Sequence, residues 1–219
     1  MAVHGPHSRV SQFFGLNRNQ NTLDFVDVPI GNDAAVFLDP SRLRAMDTPW
    51  ATECNSLLQH FFETLLRCLA EDNEAFGLSM LTALSEKNEF HLGLSKGKSD
   101  GRAFGPKYAG RVWSTLQKSA ARGSGLLRDL EDTILFIDGI GPDRVSDAVC
   151  NVIRGPLIKY TQAMCQYYDI SLTQDVPSGP VWDATTETWE EAMIPLPMTP
   201  YGPLLLVPKI AVRQRLVYD

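Results

Sequence analysis

Leu57, Leu58, Phe61, Phe62, Leu65, Leu66 and Leu69 recur at steps of three and four residues. That period puts them on one broad face of a helix running from about 51 to 70, and a face so wide has to be buried. The rest of the chain must therefore cover it. Asp72 and Asn73 break the stripe and can cap a second helix over 74–85, which carries Phe76, Leu78, Met80, Leu81 and Leu84. The spacing predicts a helical hairpin.

Shorter signals surround it. Phe25, Val26, Val28 and Ile30, then Ala34, Val36, Phe37 and Leu38, read as short strands on either side of a turn at Gly31-Asn32-Asp33. Asp39-Pro40-Ser41 can open a short helix. Alternation over 89–95 predicts a half-buried strand, and Gly105-Pro106 opens a helix to about 121. Ile134 to Ile137 reads as a strand. A helix then begins near Ser146, is interrupted at Gly155-Pro156 and restarts at Leu157. Residues 169–203 read as a long irregular, proline-rich segment, and Leu204 to Val207 as a last strand, continued by Ala211-Val212. The expected fold is mixed α+β. A small central sheet carries the helical hairpin and further helices in one domain over 23–219. The polar residues 1–22 are expected to be a flexible or partner-ordered arm.

Of the 219 residues, 44% are hydrophobic and 21% charged, which favours a packed core over disorder. The 26 acids outnumber the 20 bases, for a net charge of -6. Contact with phosphate then has to come from a local cluster of cations or a helix N-terminus, not from the charge of the whole chain. No apolar run reaches the roughly 20 residues of a membrane span. The N-terminus lacks the blocks of a signal peptide, so the expected location is the cytoplasm. Cys54, Cys68, Cys150 and Cys165 are far apart, with no zinc spacing, and read as buried thiols.

Two stretches could carry chemistry. Lys96, Lys98, Arg102 and Lys107 are interleaved with Gly97, Gly101 and Gly105 ahead of a helix. Glycines let backbone N–H groups converge, and a helix start adds positive potential, so this loop could cradle phosphate. The four-residue offset of a Walker loop is missing. The second stretch is Asp138-Gly139-Ile140-Gly141-Pro142-Asp143-Arg144-Val145-Ser146-Asp147. Acids at a strand end are suited to holding Mg²⁺ or Mn²⁺ for phosphodiester chemistry, and Asp138, Asp143 and Asp147 are the candidate ligands. Lys209 could add a cation beside them, with Asp143 and Asp147 catalytic. The acid-x-lysine of restriction-type nucleases is broken here by Val207. His91 is the one candidate general base. A joint site requires both loops on one side of the sheet, with Lys98 or Arg102 on the order of 10 Å from Asp143 or Asp147.

The run Leu135 to Asp147, followed by Asn151, Ile153, Arg154, Leu157, Tyr160-Thr161 and Cys165, resembles a group of uncharacterised bacterial proteins. Phe37-Leu38-Asp39-Pro40 and Leu206-Val207-Pro208-Lys209 extend the resemblance over most of the chain. It implies a setting in anti-phage defence and mobile-element neighbourhoods, and transfers no catalytic residues. The resulting expectation is a defence-type protein acting on nucleic acid as a metal-dependent nuclease. The alternative is a non-catalytic subunit that binds a protein partner or a second copy. Trp182, Trp189 and Tyr201 would be its interface anchors.

Overall fold

The computed structural model describes residues 5–84, 88–93, 105–118 and 142–214. The chain begins with a single helical turn, α1 (Val10–Phe13), then β1 (Val36–Leu38) and a short helix α2 (Pro40–Ala45). Pro40 sits at the start of α2, where its missing N–H costs nothing, and the Asp39 side chain caps the helix by accepting from Ser41 N. The same logic starts α3 (Pro49–Ala70), where Thr48 Oγ1 accepts from Ala51 N at 3.2 Å. The apolar stripe of α3 is buried as its period requires, with Phe61, Phe62, Leu65 and Leu69 in the core. Asp72, at φ 53°, reverses the chain, and Asn73 Oδ1 accepts from Phe76 N to open α4 (Glu74–Thr82). The expected hairpin is present.

Helix α5 (Pro106–Lys118) crosses α4 at close range. A Cβ built on Gly77 would lie 2.0 Å from Trp113 Cζ3, so glycine is what lets the indole reach the backbone of α4. Helices α6 (Pro142–Val152) and α7 (Arg154–Tyr167) are nearly continuous, with Ile153 between them. Pro156 falls in the first turn of α7, where no intrahelical donor is lost.

The mixed α+β class holds, with strands arranged in two-stranded antiparallel sheets. After α7 come β2 (Thr173–Pro177), β3 (Val181–Asp183), β4 (Thr188–Glu190), β5 (Met193–Leu196), β6 (Met198–Thr199) and β7 (Gly202–Pro203). They pair as β2 with β5, β3 with β4 and β6 with β7. The last strand, β8 (Val212–Gln214), returns to β1 with Leu38 opposite Val212. Helix α6 lies against β1, and α7 against β3 and β5. The buried residues from Val10 to Val212 form one contiguous cluster, and all four cysteines are buried free thiols.

Several expectations change. Residues 169–203 are short hairpins, not irregular chain: Trp182 and Trp189 oppose each other across β3 and β4 and pack on Phe61. The expected strand over 89–95 is a 3-10 turn at Asn88–Phe90, with an isolated bridge from Leu92 to Ala34 among the described residues. His91, at φ 49°, has left the extended conformation a strand needs. Leu204 to Val207 are buried but form no strand, and their N–H groups go to separate partners. Leu205 N donates to Glu89 O, and Leu206 N to Thr161 Oγ1. The N-terminal stretch, from Gly5 on, is docked. Ser11 N and Oγ both donate to the buried carboxylate of Asp27, at 2.8 and 2.7 Å, and Val10 N donates to Val28 O. A buried carboxylate needs such donors, and this one ties the segment down. The expected strand over 134–137 lies outside the described residues.

Candidate functional site

The two loops singled out in the sequence are only partly within the described residues. Lys96, Lys98, Arg102 and Asp138 lie outside them. Lys107 is exposed on the first turn of α5. Helix α6 begins at Pro142 instead of near Ser146, so Asp143 and Asp147 are both helical and one turn apart. Ser146 is no cap: its buried Oγ accepts from Leu38 N at 2.9 Å and fastens α6 to β1.

The helices that follow the two loops start beside each other. The Arg144 guanidinium lies 4.1 Å over the ring of Tyr108, and Arg111 flanks the same ring at 5.4 Å. Arg144 and Tyr108 are both third residues of their helices, so the first turns of α5 and α6 meet. Each helix start carries partial positive charge. Hard carboxylate oxygens at Asp143 and Asp147 suit a hard divalent cation in donor chemistry. Among the described residues no three His, Cys, Asp or Glu side chains are grouped to hold a metal, so the metal set would depend on Asp138 and the side chain of Asp143, which lie outside them.

Lys209 lies on a 3-10 turn that borders a cleft of about 1520 Å³. The docked N-terminal stretch, the segment 26–36 and the C-terminal stretch around β8 form its walls. Its lining includes Arg9, Arg18, Arg42, Lys209 and Arg213. Arg213 is 2.7 Å from Asp39 Oδ2 and Arg42 Nε is 3.9 Å from the same oxygen, so one carboxylate serves both. The other three cations have neutral partners. Arg9 Nη1 donates to Asp27 O at 2.5 Å, Lys209 Nζ donates to Asn21 O at 3.0 Å, and Arg18 lies 5.6 Å over the Tyr168 ring. None of the three is ion-paired to a carboxylate among the described residues. The acids in the lining are Asp27, both of whose oxygens are taken up by Ser11, and Asp33. Ser11, Gln12, Asn19 and Gln20 supply neutral polar surface.

The cleft wall reaches Gly93, which precedes the basic loop, and β1, against which α6 packs. Asp33 Oδ2 would be 3.5 Å from a Cβ on Gly93, the last described residue before the basic loop. Val36 on the cleft wall belongs to β1, which α6 packs against. His91 is buried with Nδ1 4.0 Å from Asp33 Oδ1, beyond hydrogen-bond distance. Burial pushes its pKa below the usual histidine value, against the opposing pull of Glu89. Of the cleft cations, sequence reasoning singled out only Lys209. Arg9, Arg18, Arg42 and Arg213 are scattered along the chain, and no motif connects them.

A family model described as a domain of unknown function, DUF8370, matches residues 15–219. The chain belongs to the DUF8370 family. No curated protein and no solved structure matches it. Within the DUF8370 match lie Arg18, Arg42, Lys209 and Arg213, together with Asp143 and Asp147, while Arg9 precedes it.

Proposed function

We propose that this protein acts on nucleic acid, in the defence setting implied by its sequence resemblance, and that it grips the phosphate backbone in the cleft. The carrying observation is that Arg9, Arg18 and Lys209 share one cleft without a carboxylate partner among the described residues. In a chain of net charge -6, such a focus of positive potential attracts anions locally where the molecule as a whole repels them. Arg42 and Arg213 converge on Asp39, whose side chain is only 12% exposed, so both are committed to that carboxylate. The lining is mixed, polar at Ser11, Gln12, Asn19 and Gln20 and apolar at Val26, Pro29 and Val36, so it can meet phosphates and sugar carbons alike.

The catalytic form of the reading places Mg²⁺ or Mn²⁺ on Asp143 and Asp147 with Asp138. The adjoining starts of α5 and α6 would offer their N-termini to the phosphate group that such a metal acts on. Lys209 then serves as a backbone contact in the cleft, not as a partner of the aspartates. Of the three anchors of the subunit alternative, Trp182 is buried, Trp189 is half-buried against it and Phe61, and Tyr201 stays 47% exposed.

Fluorescence anisotropy with labelled DNA and RNA tests binding. Arg9→Gln, Arg18→Gln and Lys209→Gln should each weaken it, and the triple variant should abolish it at physiological salt. Binding that survives the triple variant contradicts the assignment of the cleft. Incubation of the same substrates with Mg²⁺, Mn²⁺ or chelator tests the chemistry. Cleavage lost in Asp143→Ala and Asp147→Ala supports the metal set, and cleavage indifferent to both removes it.

A further inference from the structure

Arg18 on the cleft wall leads to a pair of tyrosines. Tyr168, whose ring carries Arg18, is firmly held: its hydroxyl donates to Asp24 Oδ2 at 2.6 Å and accepts from Asp24 N at 3.3 Å. Its ring meets the buried Phe25 edge-on at 5.5 Å. Lys209 N donates to Asp24 O, so the same short stretch fixes Tyr168 and the cleft lysine together. Beside this anchored ring stands Tyr167, at 4.9 Å between centroids and 85° between planes. Tyr167 is 69% exposed. An aromatic ring left largely in water, one ring away from an arginine with no carboxylate partner among the described residues, forms a platform with a cation nearby.

Resting on the cleft reading above, we propose that the preferred ligand is single-stranded nucleic acid, with a base stacking on Tyr167 while its phosphates follow Arg18, Lys209 and Arg9 into the cleft. The physical reason is the availability of base faces. A duplex keeps its bases stacked on one another and offers a protein only their edges and the backbone, which the arginines alone could hold. A single strand can turn a base out onto an aromatic face, and a positively charged groove with adjacent aromatic rings is how such strands are held without sequence preference. The anchored Tyr168 keeps Arg18 in register with that platform. Asp24, the acid at this end, has one oxygen engaged by the Tyr168 hydroxyl.

The test compares three labelled probes against the full chain: an oligothymidylate, a duplex of equal length, and an abasic phosphodiester strand. The oligothymidylate should bind tightest. Tyr167→Ala should weaken it about 5- to 100-fold, the worth of one base–aromatic stack. Tyr167→Phe should keep the affinity, and Tyr167→Leu should not. The abasic strand should bind more weakly and be indifferent to all three substitutions. Because Tyr167 is exposed, its variants remain folded, which thermal melting verifies. Duplex bound as tightly as single strand, with Tyr167→Ala silent, overturns this inference and leaves the cleft reading standing. Failure of all three probes to bind overturns the cleft reading itself.

Discussion

At the scale of single residues, the buried polar groups set the sensitivities. Asp27 is buried and depends on Ser11 for both of its oxygens. Ser11→Ala removes the hydroxyl donor and leaves Oδ2 short of a partner. The expected loss is about 1–3 kcal/mol, read as a lower urea midpoint, because an unsatisfied buried group forfeits its hydration without return. His91 gives a pH dependence of definite sign. Burial lowers its folded pKa below 6.5, so the unfolded chain binds more protons once pH falls under that value. Stability is therefore full above about pH 6.5 and declines as pH drops toward the folded pKa. His91→Asn, which tolerates the left-handed backbone at φ 49°, should flatten the urea midpoint between pH 6.5 and 5. An unchanged slope would mean that His91 is not the group responsible. The lowered carboxyls of Asp183 and Glu187 act on a separate, more acid window, below their ordinary values of 3.8 and 4.5.

At the scale of elements, the helices were legible and most strands were not. The stripe of α3 and the Asn73 cap of α4 are local signals, written in neighbouring residues, whereas the expected break at Gly155-Pro156 falls at Ile153, with both residues inside the first turn of α7. The strands of 173–203 are two to five residues long, too short for alternation to register, and are specified by their partners. Trp182 and Trp189 illustrate this. In sequence they sit among prolines and look displayed, yet pairing across β3 and β4 turns both onto Phe61 of α3. Gly77 was equally silent, since its role appears only when Trp113 of α5 lies against it. Gly77→Ala should cost about 1–3 kcal/mol through overpacking, measured as a drop in Tm, because the clash is with a fully buried ring that cannot swing away. A neutral result would mean that α4 and α5 can separate freely.

At the scale of the whole molecule, the candidate site was the least legible part. Arg9, Arg18, Arg42, Lys209 and Arg213 are brought together by docking the N-terminal stretch on Asp27 and returning β8 to β1. Neither step leaves a local trace, and the net charge of -6 points away from a phosphate ligand. The more conspicuous cluster, Lys96 to Lys107, drew the reading because glycines and lysines lie close in sequence. Of it, only Lys107 falls within the described residues. On the proposed reading, three cations without carboxylate partners among the described residues meet phosphates in one cleft. The salt dependence of binding to a single strand measures this most directly, since each phosphate neutralised adds about -0.7 to the slope of log K against log salt. Wild-type protein should show a slope near about -2, and the Arg9→Gln, Arg18→Gln, Lys209→Gln triple variant a slope near zero. A wild-type slope that the triple variant leaves unchanged would contradict the account.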